Sequence, residues 1–451
     1  LIYSLMKKLF YLLFVLSLTL FVGCKNDSDG GDQPIPSGDT LWYEFTKVEE
    51  YAAKEYVEKF HSDIFYTSAD SAKFMNSINP DLRVRLFSTN YHSLYIDGNT
   101  ITVSGLIAVP FENGKFTATD LVIDNRSSQF NNDEAPSNKP NYGAAFVATN
   151  RVVVQADLIG LGASVDKPLN YCCYKLASRN TIDLALVADQ IIHSTWLNTG
   201  VSADKHLTTY NEGFSQGGYT ALAVHKYYET EATDDEKKCL PLVKSWCGGG
   251  PYNTQTLMDA ANNQQAYVFP AFHIIGMYSG MKYYPEYFGD LTLRDFFADG
   301  IPDEKVATFE SMVESKKTSG TALTFLFEKE VMEEIPNPTH ITKIVNKDCY
   351  ISGTKERNAI EAYCRKECLL DGWIPKLPIT FYTAKDDDVI LLPVFEEVKQ
   401  KFGTPSNITY ICEEGVKPAL PIVIPGYENG IAVHANAEKS FNTQVLLGTM
   451  K

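Results

Sequence analysis

The run Asn211-Glu212-Gly213-Phe214-Ser215-Gln216-Gly217-Gly218-Tyr219 sets a serine between two glycines at Gly-x-Ser-x-Gly spacing, with a further glycine behind them. A serine carried on a very sharp strand-to-helix turn has strained backbone angles, so the positions two before and two after it must lack bulk. Gly213 and Gly217 meet that demand, and Gly218 lets the following helix pack close to its neighbours. The backbone N–H of Gln216 would then stand at a helix N-terminus, aimed at the charge that develops on a carbonyl oxygen under attack. The plain alternative is a glycine-rich turn with Ser215 as an ordinary helix cap.

A serine hydroxyl is a weak nucleophile at neutral pH. It needs a base, and the base needs a carboxylate to orient it. With an elbow of this kind the acid comes next in the chain and the histidine last. Of eight histidines, His340 and His434 follow the elbow at a large distance. His434 has small neighbours, in Ile431-Ala432-Val433-His434-Ala435-Asn436-Ala437, and suits a loop that reaches a site; otherwise it is an exposed histidine at a helix start. His340, close to Pro338, reads as a solvated loop residue. The acid belongs just past the strand before His434, where Asp386-Asp387-Asp388 stand. Three adjacent charges also describe a solvated turn. Asp387 is the preferred partner and Asp386 the second. A second oxyanion donor is expected to be a backbone N–H in the loop after an early strand, at residues 125–128, with Asn125 and Arg126 first. The usual His-Gly pair is replaced there by Asp124-Asn125-Arg126-Ser127, and losing one such donor costs about 3 kcal/mol of transition-state stabilisation.

These residues need a scaffold. Residues 41–60 read as a helix. Residues 84–88, 91–95 and 100–110 read as an antiparallel leading edge, with a turn at Ile96-Asp97-Gly98-Asn99. Residues 121–124 and 151–157 are continuous apolar runs, as parallel strands covered on both faces require. A long polar loop, 125–142, follows the first of them and is of a length that is usually functional. A helix capped at Asn180-Thr181 runs to residue 197. The strand 207–211 leads into the elbow and is unusually polar; the helix 216–229 follows it, and 242–247 is the next strand. Gly160, Gly162, Ser215 and Gly248-Gly249-Gly250 all fall at strand carboxyl ends, where open α/β sheets place function. From 252 to 371 helical patterns dominate and read as a cap. Its aromatics, including Phe272, Tyr278, Tyr283, Tyr284, Tyr287 and Phe288, are either core of the cap or an apolar substrate pocket. Residues 377–383 resume the sheet, 390–402 is partly helical, 420–424 is a last strand, and 432–441 is a turn and helix.

The sequence has 451 residues, a formal charge of -16 and 44% hydrophobic residues. That is room for one large α/β domain with insertions, and without a basic patch it is no nucleic-acid binder. Met6-Lys7-Lys8 followed by an apolar run over 9–22 has the length of a signal peptide, shorter than a spanning helix. Residues 1–23 are thus expected to be removed. Cys24, after Phe21-Val22-Gly23, resembles the lipidated cysteine of bacterial lipoproteins. Several acyl chains there anchor stably where one is marginal. Residues 24–41 read as a polar, glycine-rich tether. Its acidic start resembles the surface-export signal of Bacteroidetes lipoproteins, so the expected place is the cell envelope, at the outer membrane. Beyond Cys24 there are eight cysteines, which permit disulfides without specifying a pairing. No Cys-x-x-Cys pair or histidine cluster has zinc spacing, and neither a metal nor a cofactor is expected.

The pieces Val103-Ser104-Gly105-Leu106-Ile107-Ala108-Val109-Pro110, Ala156-Asp157-Leu158-Ile159-Gly160-Leu161-Gly162, Gly213-Phe214-Ser215-Gln216-Gly217-Gly218 and Asp371-Gly372-Trp373-Ile374-Pro375 together resemble the α/β-hydrolases of the secretory-lipase type, notably bacterial lipoprotein members, over residues 84–440. The resemblance implies an α/β-hydrolase fold with a mostly parallel sheet, helices on both faces and an inserted helical cap. The core would run over 42–251 and 372–451 and the cap over 252–371. It implies a Ser215–His434–Asp387 triad, Gln216 N–H as an oxyanion donor, and an acyl pocket under the cap. Thr383 and Ala384 stand where that family has His and Gly, and Leu391 where it has Pro. The expected activity is carboxylic-ester hydrolysis of small-molecule, glycan or lipid esters. Two alternatives remain. One is a peptidase on the same fold, with Glu328, Glu330, Glu333 and Glu334 to hold a substrate amine. The other is a binding lipoprotein that has lost activity.

Overall fold

Strands supply the frame. The computed structural model describes residues 41–60, 64–139, 142–320, 322–323, 326–327, 340–419 and 432–448. The signal segment, Cys24, the tether, Glu328, Glu330, Glu333, Glu334 and the expected strand at 420–424 lie outside them. Strands β1 (Tyr43–Ala52), β2 (Leu82–Leu94), β3 (Thr100–Glu112), β4 (Lys115–Phe116), β5 (Asp120–Asn125), β6 (Val152–Ala156), β7 (Thr208–Phe214), β8 (Leu242–Gly248), β9 (Ile379–Ala384) and β10 (Ile408–Glu413) join in one sheet. Its order is β1-β2-β3-β6-β5-β7-β8-β9-β10, with β4 hung on β3. The β1, β2, β3, β6 part is antiparallel, and from β6 through β10 every pairing is parallel. The parallel strands are buried because helices cover both of their faces.

The helices are α1 (Ala53–Phe60), α2 (Ser68–Ser77), α3 (Tyr174–Ile192), α4 (Gln216–Thr230), α5 (Asp234–Cys239), α6 (Thr254–Asn262), α7 (Pro270–Tyr283), α8 (Pro285–Phe288), α9 (Asp303–Ser315), α10 (Lys355–Glu367), α11 (Leu392–Phe402) and α12 (Val433–Leu446). Two buried clusters follow. One holds Ile107, Ile123, Val154, Leu184 and Ala221 with the helical segment between β8 and β9; the other holds Leu106, Val122, Val153, Phe214 and Phe441. Alternate residues of β3, β5 and β6 thus go to opposite faces of the sheet. Among the described residues no helix is long and apolar enough to cross a membrane.

Three sequence expectations change. Residues 41–60 are not one helix. Tyr43–Ala52 is an edge strand and only Ala53–Phe60 is helical. Tyr43 and Phe45 alternate with polar residues, a period of two that the charged second half of the segment masks. The helix expected to be capped at Asn180 starts at Tyr174 and ends at Ile192. Asn180 is buried inside it, where it accepts from the Tyr91 hydroxyl at 2.5 Å and donates to the Asp157 carbonyl at 2.7 Å. Finally, β10 was not singled out, because an edge strand of six partly exposed residues carries little apolar signal.

Candidate functional site

Ser215 stands between β7 and α4 with φ 59° and ψ -126°, a conformation that only a surrounding structure can impose. Its N–H donates to the Gly248 carbonyl at 2.9 Å, and its own carbonyl accepts from Tyr219 N–H at 3.1 Å. The glycines are needed for clearance. A Cβ on Gly217 would overlap the Asn125 carbonyl, one on Gly213 the Gly217 carbonyl, and one on Gly218 the Gly248 carbonyl. The polar strand before the elbow also has a reason. Buried Asn211 donates to the Ala221 carbonyl at 2.8 Å and to Ser245 Oγ at 2.9 Å, and accepts from Asn125 Nδ2 at 2.8 Å. The amide thus ties β7 to its own helix and to both neighbouring strands.

The aspartate triplet divides its work. Asp386 is exposed, while Asp387 and Asp388 are buried. The Asp387 carboxylate takes His434 Nδ1 at 2.8 and 3.0 Å, and its Oδ1 also accepts the N–H groups of Val389 and Ile390 at 2.9 Å each. Asp388 serves the backbone, accepting Ala432 N–H at 2.6 Å and His434 N–H at 3.1 Å. It caps α12, whose cap residue Ala432 has φ 67°, and so sets the height at which His434 enters the site. That second role is one the sequence reading missed. The only signal for it was an acidic residue adjoining the orienting acid.

Burial pulls the His434 imidazolium down, but the Asp387 charge and hydrogen bond, with smaller contributions from Glu438 and Asp388, hold its pKa above the ordinary 6.5. The ring packs on Phe214, the residue before Ser215, with centroids 4.8 Å apart. Its Nε2 is buried and has no hydrogen-bond partner. No described hydrogen bond joins it to Ser215 Oγ. His340, by contrast, is occupied elsewhere, with Nδ1 on Thr342 Oγ1 and Nε2 on the Asn262 carbonyl, both at 2.8 Å.

Ser215 and Gln216 open on a cavity of about 650 Å3, its mouth included. Its walls come from the helical segment, chiefly α6, α7 and α10, together with Tyr171, Cys172, Val389 and Ile390. Of the six aromatics singled out in the sequence only Phe272 lines the cavity, where Tyr267 and Tyr363 join it; Tyr278, Tyr283, Tyr284 and Phe288 are buried core.

The end of β5 and the loop after it carry Asn125 and Arg126, whose side chains are engaged outside the cavity. Asn125 and Arg126 do not line this cavity but two small clefts elsewhere. The Asn125 side chain is spent on Asn211 and on the Glu212 carbonyl, both at 2.8 Å. Arg126 lies beside the buried Asp124–Glu212 carboxyl pair. Burial and then the Asp124 charge push the Glu212 carboxyl well above the usual range. The loop nevertheless touches the elbow: the Ser127 side-chain hydroxyl donates to the Phe214 carbonyl at 3.2 Å.

The eight described cysteines are free thiols. Asp189, His206 and Cys239 bring ligand-type atoms within 4.8 Å of one another, a grouping that no sequence spacing announces. It stands at the amino ends of β7 and β8, and His206 Nδ1 lies 3.0 Å from both Asp189 oxygens.

The fold recurs in solved structures. The rice cell wall degrading esterase LipA from Xanthomonas oryzae superposes with a TM-score of 0.68 at 18% identity, over 91% of this chain and 99% of that one. The chain has the α/β-hydrolase fold. A Legionella pneumophila protein matches this hydrolase fold with a TM-score of 0.63 at 16% identity, covering 91% and 98% of the two chains. Candida antarctica lipase A in its closed state gives 0.51 at 14%, covering 83% and 78%. No family model and no curated protein matches the sequence.

Proposed function

We propose that the chain is a serine carboxylic-ester hydrolase. The observation that carries this reading is the imidazole of His434. It is fixed at Nδ1 by a buried aspartate and left with an unpartnered Nε2, beside an elbow whose serine is held at φ 59°. Ser215 Oγ attacks the ester carbonyl and His434 Nε2 takes its proton. The carbonyl oxygen becomes an oxyanion against Gln216 N–H, one of the first amides of α4, which lack intrahelical partners. The alcohol leaves with the proton from His434, and water hydrolyses the acyl-enzyme by the same relay. Asp387 keeps the ring in the required tautomer and balances the imidazolium. In the ligand-free enzyme the serine–histidine contact is expected to be loose and to tighten on substrate.

The esterase and lipase named among the fold neighbours agree with this activity and with an ester of a small molecule, glycan or lipid as substrate. We further propose that the protein is exported and held at the bacterial outer membrane through acylated Cys24, with 252–371 acting as a cap over the acyl pocket. A soluble form starting at Thr40 should hydrolyse p-nitrophenyl acetate, and Ser215→Ala should remove at least about 1,000-fold of kcat. Full activity in Ser215→Ala would refute the assignment. Aminoacyl amide turnover with no ester preference would turn it towards a peptidase.

A further inference from the structure

The cavity under Ser215 is apolar almost throughout, and its polar atoms are mostly spoken for. Tyr267 hydroxyl donates to the Val389 carbonyl at 2.7 Å, Thr254 Oγ1 to Cys364 Sγ at 3.1 Å, and Tyr363 hydroxyl to the Tyr171 carbonyl at 3.4 Å. There are two exceptions: Gln216, whose Oε1 is buried without a partner next to Ser215, and His273, on α7. His273 lines the cavity, is 7% exposed, and its Nε2 is buried with no partner. None of the described hydrogen bonds involves its ring. A buried, unpaired ring nitrogen is destabilising, so a ligand group that satisfies it is worth more than its apolar contact alone. Tyr267 packs edge-on against the ring, with centroids 5.1 Å apart, and helps hold its orientation.

Burial holds the His273 pKa near 3, so at neutral pH the ring is uncharged. It offers nothing to a carboxylate that would offset the cost of burying that charge. A hydroxyl is both donor and acceptor, and pairs with Nε2 in either tautomer. The half of the ester that enters this cavity also follows from position. The leaving alcohol must face His434, which protonates it. His434 is not among the cavity walls, whereas Ser215 and Gln216 are. The acyl part therefore occupies the cavity, against Tyr171, Phe272 and Tyr363.

We infer that the cavity is an acyl subsite for uncharged aryl groups that carry a hydroxyl, and that His273 is the residue that recognises that hydroxyl. This specificity rests on the serine ester-hydrolase reading, so its test is built to separate the two. Matched phenylpropanoyl and para-hydroxyphenylpropanoyl esters of one alcohol are compared by kcat/KM in wild type, His273→Leu and His273→Gln. The hydroxylated ester should be favoured about tenfold by the wild type, since one net hydrogen bond is worth about that factor. The ratio should fall to one or below in His273→Leu and recover in part in His273→Gln, which keeps a donor and an acceptor. Ratios that do not differ between wild type and His273→Leu overturn the inference. Calorimetry of Ser215→Ala with the two matching neutral amides asks the same question without chemistry and without altering His273. About tenfold tighter binding of the hydroxylated amide supports the subsite, and equal binding refutes it. Absence of turnover of either ester, with that binding preference intact, would refute the hydrolase reading alone.

Discussion

At the scale of single residues, the charge of Asp387 sets where the His434 ring titrates. Because the His434 pKa lies above 6.5, the rising limb of kcat/KM, which needs the neutral base, should lie above pH 6.5. Asp387→Asn removes the charge that raises it. The limb should then move to lower pH while the rate falls by about 10⁴, because the ring loses its tautomer; an unmoved limb would contradict the assignment. The stability linkage has the opposite sign. A raised folded-state pKa contributes stability that is complete below the unfolded value and is lost as pH rises through the folded one. Gly276, on α7, offers a steric test. It lines the cavity, and a Cβ there meets nothing within 4 Å. Gly276→Phe should therefore lower the kcat/KM ratio of long to acetyl esters by at least about tenfold, read from a graded acyl series. The elbow at Ser215 and the contact of His434 with Asp387 were legible because each candidate is a residue type at a required chain position. Asn125 and Arg126 were placed by loop position, as backbone donors; the work of their side chains, Asn125 on Asn211 and Arg126 beside Asp124, has no sequence signal.

At the scale of elements, the elbow and the start of α12 are the two parts that must be exact to a fraction of an ångström. The elbow was readable because glycine is the sole residue that allows such approaches, and the overlap of a Gly217 Cβ with the Asn125 carbonyl is the reason. Gly217→Ala should cost on the order of 1–3 kcal/mol of stability in urea titrations, the usual penalty of overpacking. The start of α12 was half readable. His434 was expected there, but the hydrogen bonds from Ala432 and His434 N–H groups to Asp388 have no sequence signature beyond an adjacent acid. Asp388→Ala should cost about 1–2 kcal/mol and lower kcat by misplacing the imidazole. A variant with unchanged kcat would show that the cap does not position the ring. Residues 41–60 were misread because the period-two face is short and the flanking glutamates and lysine imitate a solvated helix.

At the scale of the whole molecule, the parallel strands were legible as continuous apolar runs, and their order follows from the chain alternating with helices. The walls of the cavity were not legible, because α6, α7 and α10 meet only in three dimensions. The core also carries buried carboxyls, Asp124 on β5, Glu212 on β7, Asp157 just past β6 and Asp183 on α3, each with its pKa raised chiefly by burial. Such groups bind protons more tightly when folded, so they favour the fold towards acid and oppose it as pH rises through their folded pKa values. Tm should therefore fall as pH rises above the ordinary carboxyl range, and Glu212→Gln, which stays uncharged beside Asp124, should flatten that fall. An equal slope in both proteins would contradict the raised Glu212 pKa.

The central claim is that Ser215 is the nucleophile, activated by His434. Incubation of the soluble protein with a fluorophosphonate, followed by peptide mass mapping, tests it most directly. The account predicts one adduct per chain, on Ser215, with labelling slowed strongly in His434→Ala. An unlabelled Ser215, or labelling unaffected by loss of His434, would contradict it.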